Sequence, residues 1–328
     1  MKRGLPLLIV AIVSIVILAA CGSNASKGDS FKIGASQIVE HPSLDRAYEG
    51  FKKALEDAGL DVKFDFQSAQ GDQNNLKPIS DGFVADDVDL IFANSTPAAL
   101  SALEATKDAR DIPILFTSVT DAVSAGLVTA MDEPGENITG VVDLHPDAIQ
   151  ETVKFIDKYF PDATVGLIYN AGESNSVTQI EAVLAAGEGT SLTFKERTVA
   201  NSSEVQQAAT TLVSEVDLFY IVTDNTVVSA LESVVGVANE QDIPLVVGEP
   251  DSLAKGGFVT FGIDYYTIGY RTGEMAVQIL KDGKSIKDIK VEYPPEIQLF
   301  INKKAAEEQG IEWNSEWDDA EFVDTAEN

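Results

Sequence analysis

Cations, cysteines and histidines are all scarce in this chain of 328 residues. Lys and Arg number 23 against 53 Asp and Glu, a formal net charge of −30. A negative field of that size repels nucleic-acid phosphates and anionic lipid headgroups, so neither is a partner for the folded body. The one cysteine, Cys21, excludes a disulfide framework and a cysteine-based metal site. The two histidines, His41 and His145, stand far apart without a spaced carboxylate partner and make no zinc site. Both read as surface or capping residues. A Gly-x-Ser-x-Gly elbow, a phosphate-cradling glycine loop and a dinucleotide fingerprint are absent as well. No Ser/His/Asp set can be argued, so neither catalysis nor a cofactor is expected.

The cysteine has a telling setting. Met1-Lys2-Arg3 is positive, Leu5–Ala20 is apolar, and Leu18-Ala19-Ala20-Cys21 resembles a bacterial lipobox. The apolar run is too short and wrongly flanked for an ordinary membrane span, so residues 1–20 read as a lipoprotein signal peptide outside the fold. The resemblance implies cleavage before Cys21, a diacylglyceryl thioether on its sulfur, and an extracytoplasmic protein held to the bacterial cell membrane by the lipid anchor alone. Residues 21–30, polar from Gly22 to Ser30, form a tether.

What the body does contain is a repeat. Val88–Glu104 (VDLIFANSTPAALSALE) and Val216–Glu232 (VDLFYIVTDNTVVSALE) align without a gap. Both begin Val-Asp-Leu, end Ser-Ala-Leu-Glu, and run on into Asp-Ile-Pro and another apolar strand. Each is a buried strand, a polar turn and a helix start, and in an open α/β sheet that turn lies where ligands bind. Around the copies, strands alternate with amphipathic helices, which predicts parallel sheets covered on both faces. The fold class expected is α/β, with two similar doubly wound parallel-sheet lobes joined by three crossover segments. Residues 31–141 with 264–294 form the N-terminal lobe, 142–263 with 295–313 the C-terminal lobe. The tail 314–328 is acidic and expected to be partly disordered.

These residues carry a family resemblance. Ile33-Gly34, Asn94-Ser95-Thr96-Pro97, Phe116 to Asp121, Asn137-Ile138-Thr139-Gly140, Ile168-Tyr169-Asn170, Glu173 to Ser176, Thr223 to Thr226 and Gly262 to Tyr265 together resemble the ABC-transporter substrate-binding lipoproteins of the tryptophan/tyrosine-uptake type. That family has the type I periplasmic-binding-protein fold. The resemblance implies a monomer that captures a small ligand, such as tryptophan, tyrosine or phenylalanine, between its lobes. It would pass the ligand to a membrane permease and its ATPase. Alternatives are a ligand-sensing receptor, or an importer component for a branched-chain amino acid, a sugar or a nucleoside.

The two turns differ in charge. Thr96 can cap its helix with Pro97 at the first position, leaving N–H groups and a helix dipole that suit a ligand carboxylate. Asp224, which aligns with Thr96, suits a ligand ammonium, as does Asp264. On the family pattern Gln37, Asn94, Ser95, Ser118, Thr120, Tyr169, Glu173, Ser174, Asn175, Thr223 and Asn225 complete the candidate ligand site. Phe116, Tyr169, Phe261 and Tyr265 are placed to stack on an aromatic ligand. All of these residue types also serve as turn formers, caps or core.

Overall fold

A computed structural model describes residues 30–326 of the chain. The expected signal peptide, Cys21 and most of the expected tether lie outside the described residues. The first lobe runs β1 (Phe31–Gln37), α1 (Pro42–Asp57), β2 (Val62–Ser68), α2 (Leu76–Ala85), β3 (Leu90–Asn94), α3 (Thr96–Ala105), β4 (Ile114–Val119) and β5 (Ile138–Val142). Its five strands are parallel, in the order β2-β1-β3-β4-β5. Every residue of β3 and β4 is buried, as strands covered on both faces require.

The second lobe continues with α4 (Ala148–Tyr159), β6 (Thr164–Tyr169), α5 (Ser174–Gly187), β7 (Thr193–Thr198), α6 (Val205–Leu212), β8 (Leu218–Ile221), α7 (Asn225–Val228) and α8 (Leu231–Glu240). Then come β9 (Leu245–Val247), α9 (Asp251–Ala254) and β10 (Val259–Gly262). The chain returns to the first lobe as α10 (Tyr265–Leu280) and ends in the second as β11 (Gln298–Ile301), α11 (Lys303–Glu308) and β12 (Glu321–Phe322). The seven strands are ordered β12-β11-β10-β9-β8-β6-β7, with β11 antiparallel to β10. The chain thus crosses between lobes three times: after β5, between β10 and α10, and before β11. Two parallel-sheet α/β lobes with three crossovers is the architecture expected.

One crossover is clamped by helix packing. α10 lies against α1 so closely that a Cβ on Gly269 would stand 1.8 Å from the carbonyl oxygen of Ala47, and one on Gly50 2.2 Å from that of Tyr266. Only glycine permits that backbone approach. Ile263, Ile268, Met275 and Ile289 complete the first lobe's core around Ala47, Phe51 and Leu55. Past α10, Ile289–Tyr293 is not a continuous strand. It begins after a single 3₁₀ turn and makes one parallel bridge, Val141 to Glu292.

The acidic tail departs from expectation. Residues 315–322 form a 3₁₀ turn and β12, which adds to the edge of the second sheet. Trp317, 3% exposed, packs on Phe155, Tyr159 and Phe258. Burial of one large indole outweighs the local excess of charge, because the acidic neighbours stay in solvent while the ring goes in.

Candidate functional site

The carboxyl ends of both sheets face one another, and the loops there line a cavity between the lobes. Two contacts bridge the lobes on either flank. On one, Ser43 Oγ at the start of α1 donates toward Glu249 Oε2 at 2.5 Å, after β9. On the other, Gln179 Nε2 of α5 donates to Thr120 Oγ1 at 3.3 Å, after β4.

Half of the predicted residues line this cavity. From the first lobe these are Thr96, Ser118 and Thr120; from the second, Asn175, Thr223, Asp224 and Asn225. The first-lobe turns are held in unusual backbone. Ser95 has φ 139° and Ser118 φ 56°, both costly for a side chain with a Cβ and sustained only by their surroundings. Ser95, not Thr96, caps α3, accepting the N–H of Ala98 at 3.3 Å. In the second lobe Asp224 is the cap, accepting the N–H of Val227 at 2.8 Å and that of Asn170 at 2.6 Å. The two turns are therefore offset by one residue, and Thr96 is released to face the cavity. Its Oγ1 is sealed from solvent and has no partner.

Four predicted residues build the frame behind the wall. Gln37, fully buried, donates to Val39 O and Asp45 Oδ1, both at 2.8 Å, and accepts from Asn94 Nδ2 at 2.9 Å. Asn94 Oδ1 in turn accepts from Ser118 Oγ at 2.7 Å, which aims that turn. Glu173 accepts N–H and side-chain donors from both Asn225 and Thr226, so it shapes the second turn. Ser95 is the cap just described.

The last three stand elsewhere. Ser174 is exposed at the start of α5. Tyr169 turns outward, donating to Glu196 Oε2 at 2.9 Å. Asp264, its side chain 48% exposed, pairs with Arg46 at 2.7 Å and caps α10. It lies on the outer face of the crossover, so it is corrected as an ammonium partner. Of the four aromatic residues expected to stack, only Tyr265 lines the cavity. Phe116 is core and Phe261 packs edge-on against Phe155.

Sequence reasoning missed His41, Ser43, Asp143 and Glu249, which all line the cavity. Glu249 follows β9 as Ser118 closes β4, so the repeat contained a signal for it. Asp143 Oδ2 accepts from Tyr265 Oη at 2.8 Å, while Oδ1 is sealed without a partner. Burial, with Glu249 nearby, pushes its pKa up to about 6. Burial raises Glu249 too, and burial followed by the charge of Glu173 raises Asp224. His41 is 5% exposed and neutral at pH 7, because burial and then the charge of Lys255 push its pKa down to about 4. Among the described residues, no Lys or Arg lines the cavity. Three buried carboxylates, hydroxyls and a neutral imidazole favour a ligand with hydrogen-bond donors and a positive group.

Comparison with known proteins agrees with this geometry. Residues 32–318 match the family described as ABC transporter substrate binding protein. The chain is 42% identical over 318 residues to the tyrosine-binding protein of Clostridioides difficile strain R20291, covering 92% of this chain and 90% of that relative. Among solved structures it is similar to an ABC domain in complex with L-Trp from Streptococcus pneumonia, at TM-score 0.84 and 34% identity over 90% of this chain and all of that one. A ligand-free, open substrate-binding protein from Clostridium difficile, 38% identical over the same shares, superimposes at only 0.66. The better match to the liganded structure, at lower identity, agrees with the two bridged flanks: the lobes are closed.

Proposed function

This chain belongs to the ABC transporter substrate-binding protein family, and we propose that its own ligand is an aromatic amino acid, tyrosine foremost. The observation that carries this is a set of four sealed, unpartnered polar atoms on residues that line the cavity: Thr96 Oγ1, Asn175 Oδ1, His41 Nε2 and Asp143 Oδ1. Buried polar groups are nearly always hydrogen-bonded, so four facing one cavity mark where a polar ligand sits. Thr96, whose hydroxyl has no partner, offers a donor to a carboxylate. Asn175 Oδ1 and Asp224 offer acceptors to an ammonium. Tyr265, Leu44, Val39 and Val228 supply the apolar wall for a ring. The 42% identical relative bears the name tyrosine-binding protein, and the structure at TM-score 0.84 holds L-Trp.

The family's members are solute-binding proteins of ABC importers, working outside the cytoplasm, rather than enzymes. No helix among the described residues is long and apolar enough to cross a membrane. We propose that the lipid anchor at Cys21 holds a monomer to the cell membrane; Cys21→Ala should release it to the medium. A thermal-shift screen of the mature protein against amino acids, sugars and nucleosides tests the ligand. Tyrosine at 100 times its dissociation constant should add about 2.7 kcal/mol of stability. A sugar or nucleoside giving the only shift would overturn the reading.

A further inference from the structure

The ring of His41 closes one flank of the cavity. Its Nδ1 accepts the backbone N–H of Ser43 at 3.3 Å, so the neutral ring carries its hydrogen on Nε2. That Nε2 is sealed from solvent and unpartnered. The carboxylate oxygen Oε1 of Glu249 stands 3.9 Å away, beyond hydrogen-bond range, and accepts from Ser252 Oγ. Asp143 Oδ1 lines the same cavity, also without a partner.

The charges around Nε2 decide what can meet it. A ligand anion would be repelled by Glu249, by Asp143 and by Asp251 behind Ser43, with no Lys or Arg on the wall to offset them. A cation has no lone pair to accept from an N–H. A neutral hydroxyl does both jobs: it accepts from Nε2–H and donates its own hydrogen to a carboxylate. A phenol has that group, an indole N–H can only donate, and a phenyl ring can do neither.

Resting on the aromatic amino-acid reading above, we propose that His41, backed by Glu249 and Asp143, is the specificity-determining residue that reads a phenolic hydroxyl and sets the preference for tyrosine over phenylalanine. His41 and Glu249 form the flank bridged by Ser43, whereas Asn175, suited to the amino-acid head, borders the flank bridged by Thr120 and Gln179.

Titration calorimetry of the mature protein with tyrosine, tryptophan and phenylalanine tests this, alongside His41→Asn and His41→Gln. Asparagine keeps the cap on Ser43 N–H through its own oxygen but puts no donor where Nε2 stands. The wild-type protein should prefer tyrosine to phenylalanine by about tenfold to a hundredfold, with tryptophan between. His41→Asn should bring that ratio toward parity, and the longer His41→Gln should restore part of it. An unchanged ratio in His41→Asn, or equal wild-type affinity for tyrosine and phenylalanine, overturns the role of His41 alone. A wild-type protein that binds no aromatic amino acid overturns the functional reading and this inference together.

Discussion

Ser43 Oγ, on the first lobe, stands 2.5 Å from Glu249 Oε2 and 2.7 Å from Asp251 Oδ2, both on the second. One hydroxyl hydrogen thus serves two carboxylates, and the contact exists only while the lobes are together. Ser43→Ala should leave each lobe folded but favour the open form, weakening every ligand by about tenfold, since hydrogen bonds to charged groups are among the stronger ones. Small-angle scattering with and without tyrosine reads the closure directly. Wild-type affinity and compaction in the variant would show that this contact contributes nothing to closing.

Asp224 does two jobs that one substitution separates. Asparagine caps a helix as well as aspartate does, so Asp224→Asn keeps the cap of α7 while removing the charge and the bond that Oδ2 accepts from Asn170 N–H. Affinity for amino acids with a free α-ammonium should fall by about tenfold or more, as loss of a charge-assisted hydrogen bond implies. Calorimetry decides it: undiminished affinity would take Asp224 out of the site.

The buried acid Asp143 predicts a pH signature. Its pKa of about 6 lies above the unfolded value, so between the two the folded state holds more protons. Its contribution therefore favours the fold increasingly as pH falls from 7 through 6, and is lost as pH rises again. His41, pushed down to about 4, acts in the opposite sense, disfavouring the fold as pH drops below 6.5. Asp143→Asn should stabilise the protein at pH 8 by about 2 kcal/mol, and the gain should shrink near pH 5. Urea unfolding of both proteins at the two pH values measures it; an equal gain at each would refute the assignment.

The C-terminal segment should matter to stability despite its charge. Trp317→Ala removes a ring packed on Phe155, Tyr159 and Phe258, and should cost about 3–5 kcal/mol. A chain ending at Trp313 should lose at least as much. Denaturant midpoints that match the full chain would show the segment to be dispensable.

Much of this was legible in the chain. The repeated strand–turn–helix unit revealed two lobes because buried strands must be apolar and their turns polar, a local rule that both copies obey. Thr96 and Asp224 stood out for the same reason. The one-residue offset of the caps could not be read, since it depends on the φ of 139° that the surrounding first lobe imposes on Ser95. His41 looked like an ordinary capping residue before a proline, and it does cap α1. Its burial comes from residues more than two hundred positions away, across the closed cleft. Asp264 looked poised at a strand end, yet Arg46 of α1 draws it to the outside. Trp317 was hidden by the acids beside it.

The threading of the chain has a consequence for how the protein is made. The first lobe needs Ile268, Met275 and Ile289 to fill its core, and the second needs Ile301 and Trp317. The first lobe is not complete until Val291 has emerged, and the second not until Trp317 has. Nascent chains must then carry unpaired apolar sheet faces through most of their synthesis, whereas domains built from one contiguous segment fold in turn as they appear. Two bodies that act separately around a ligand are thus born together.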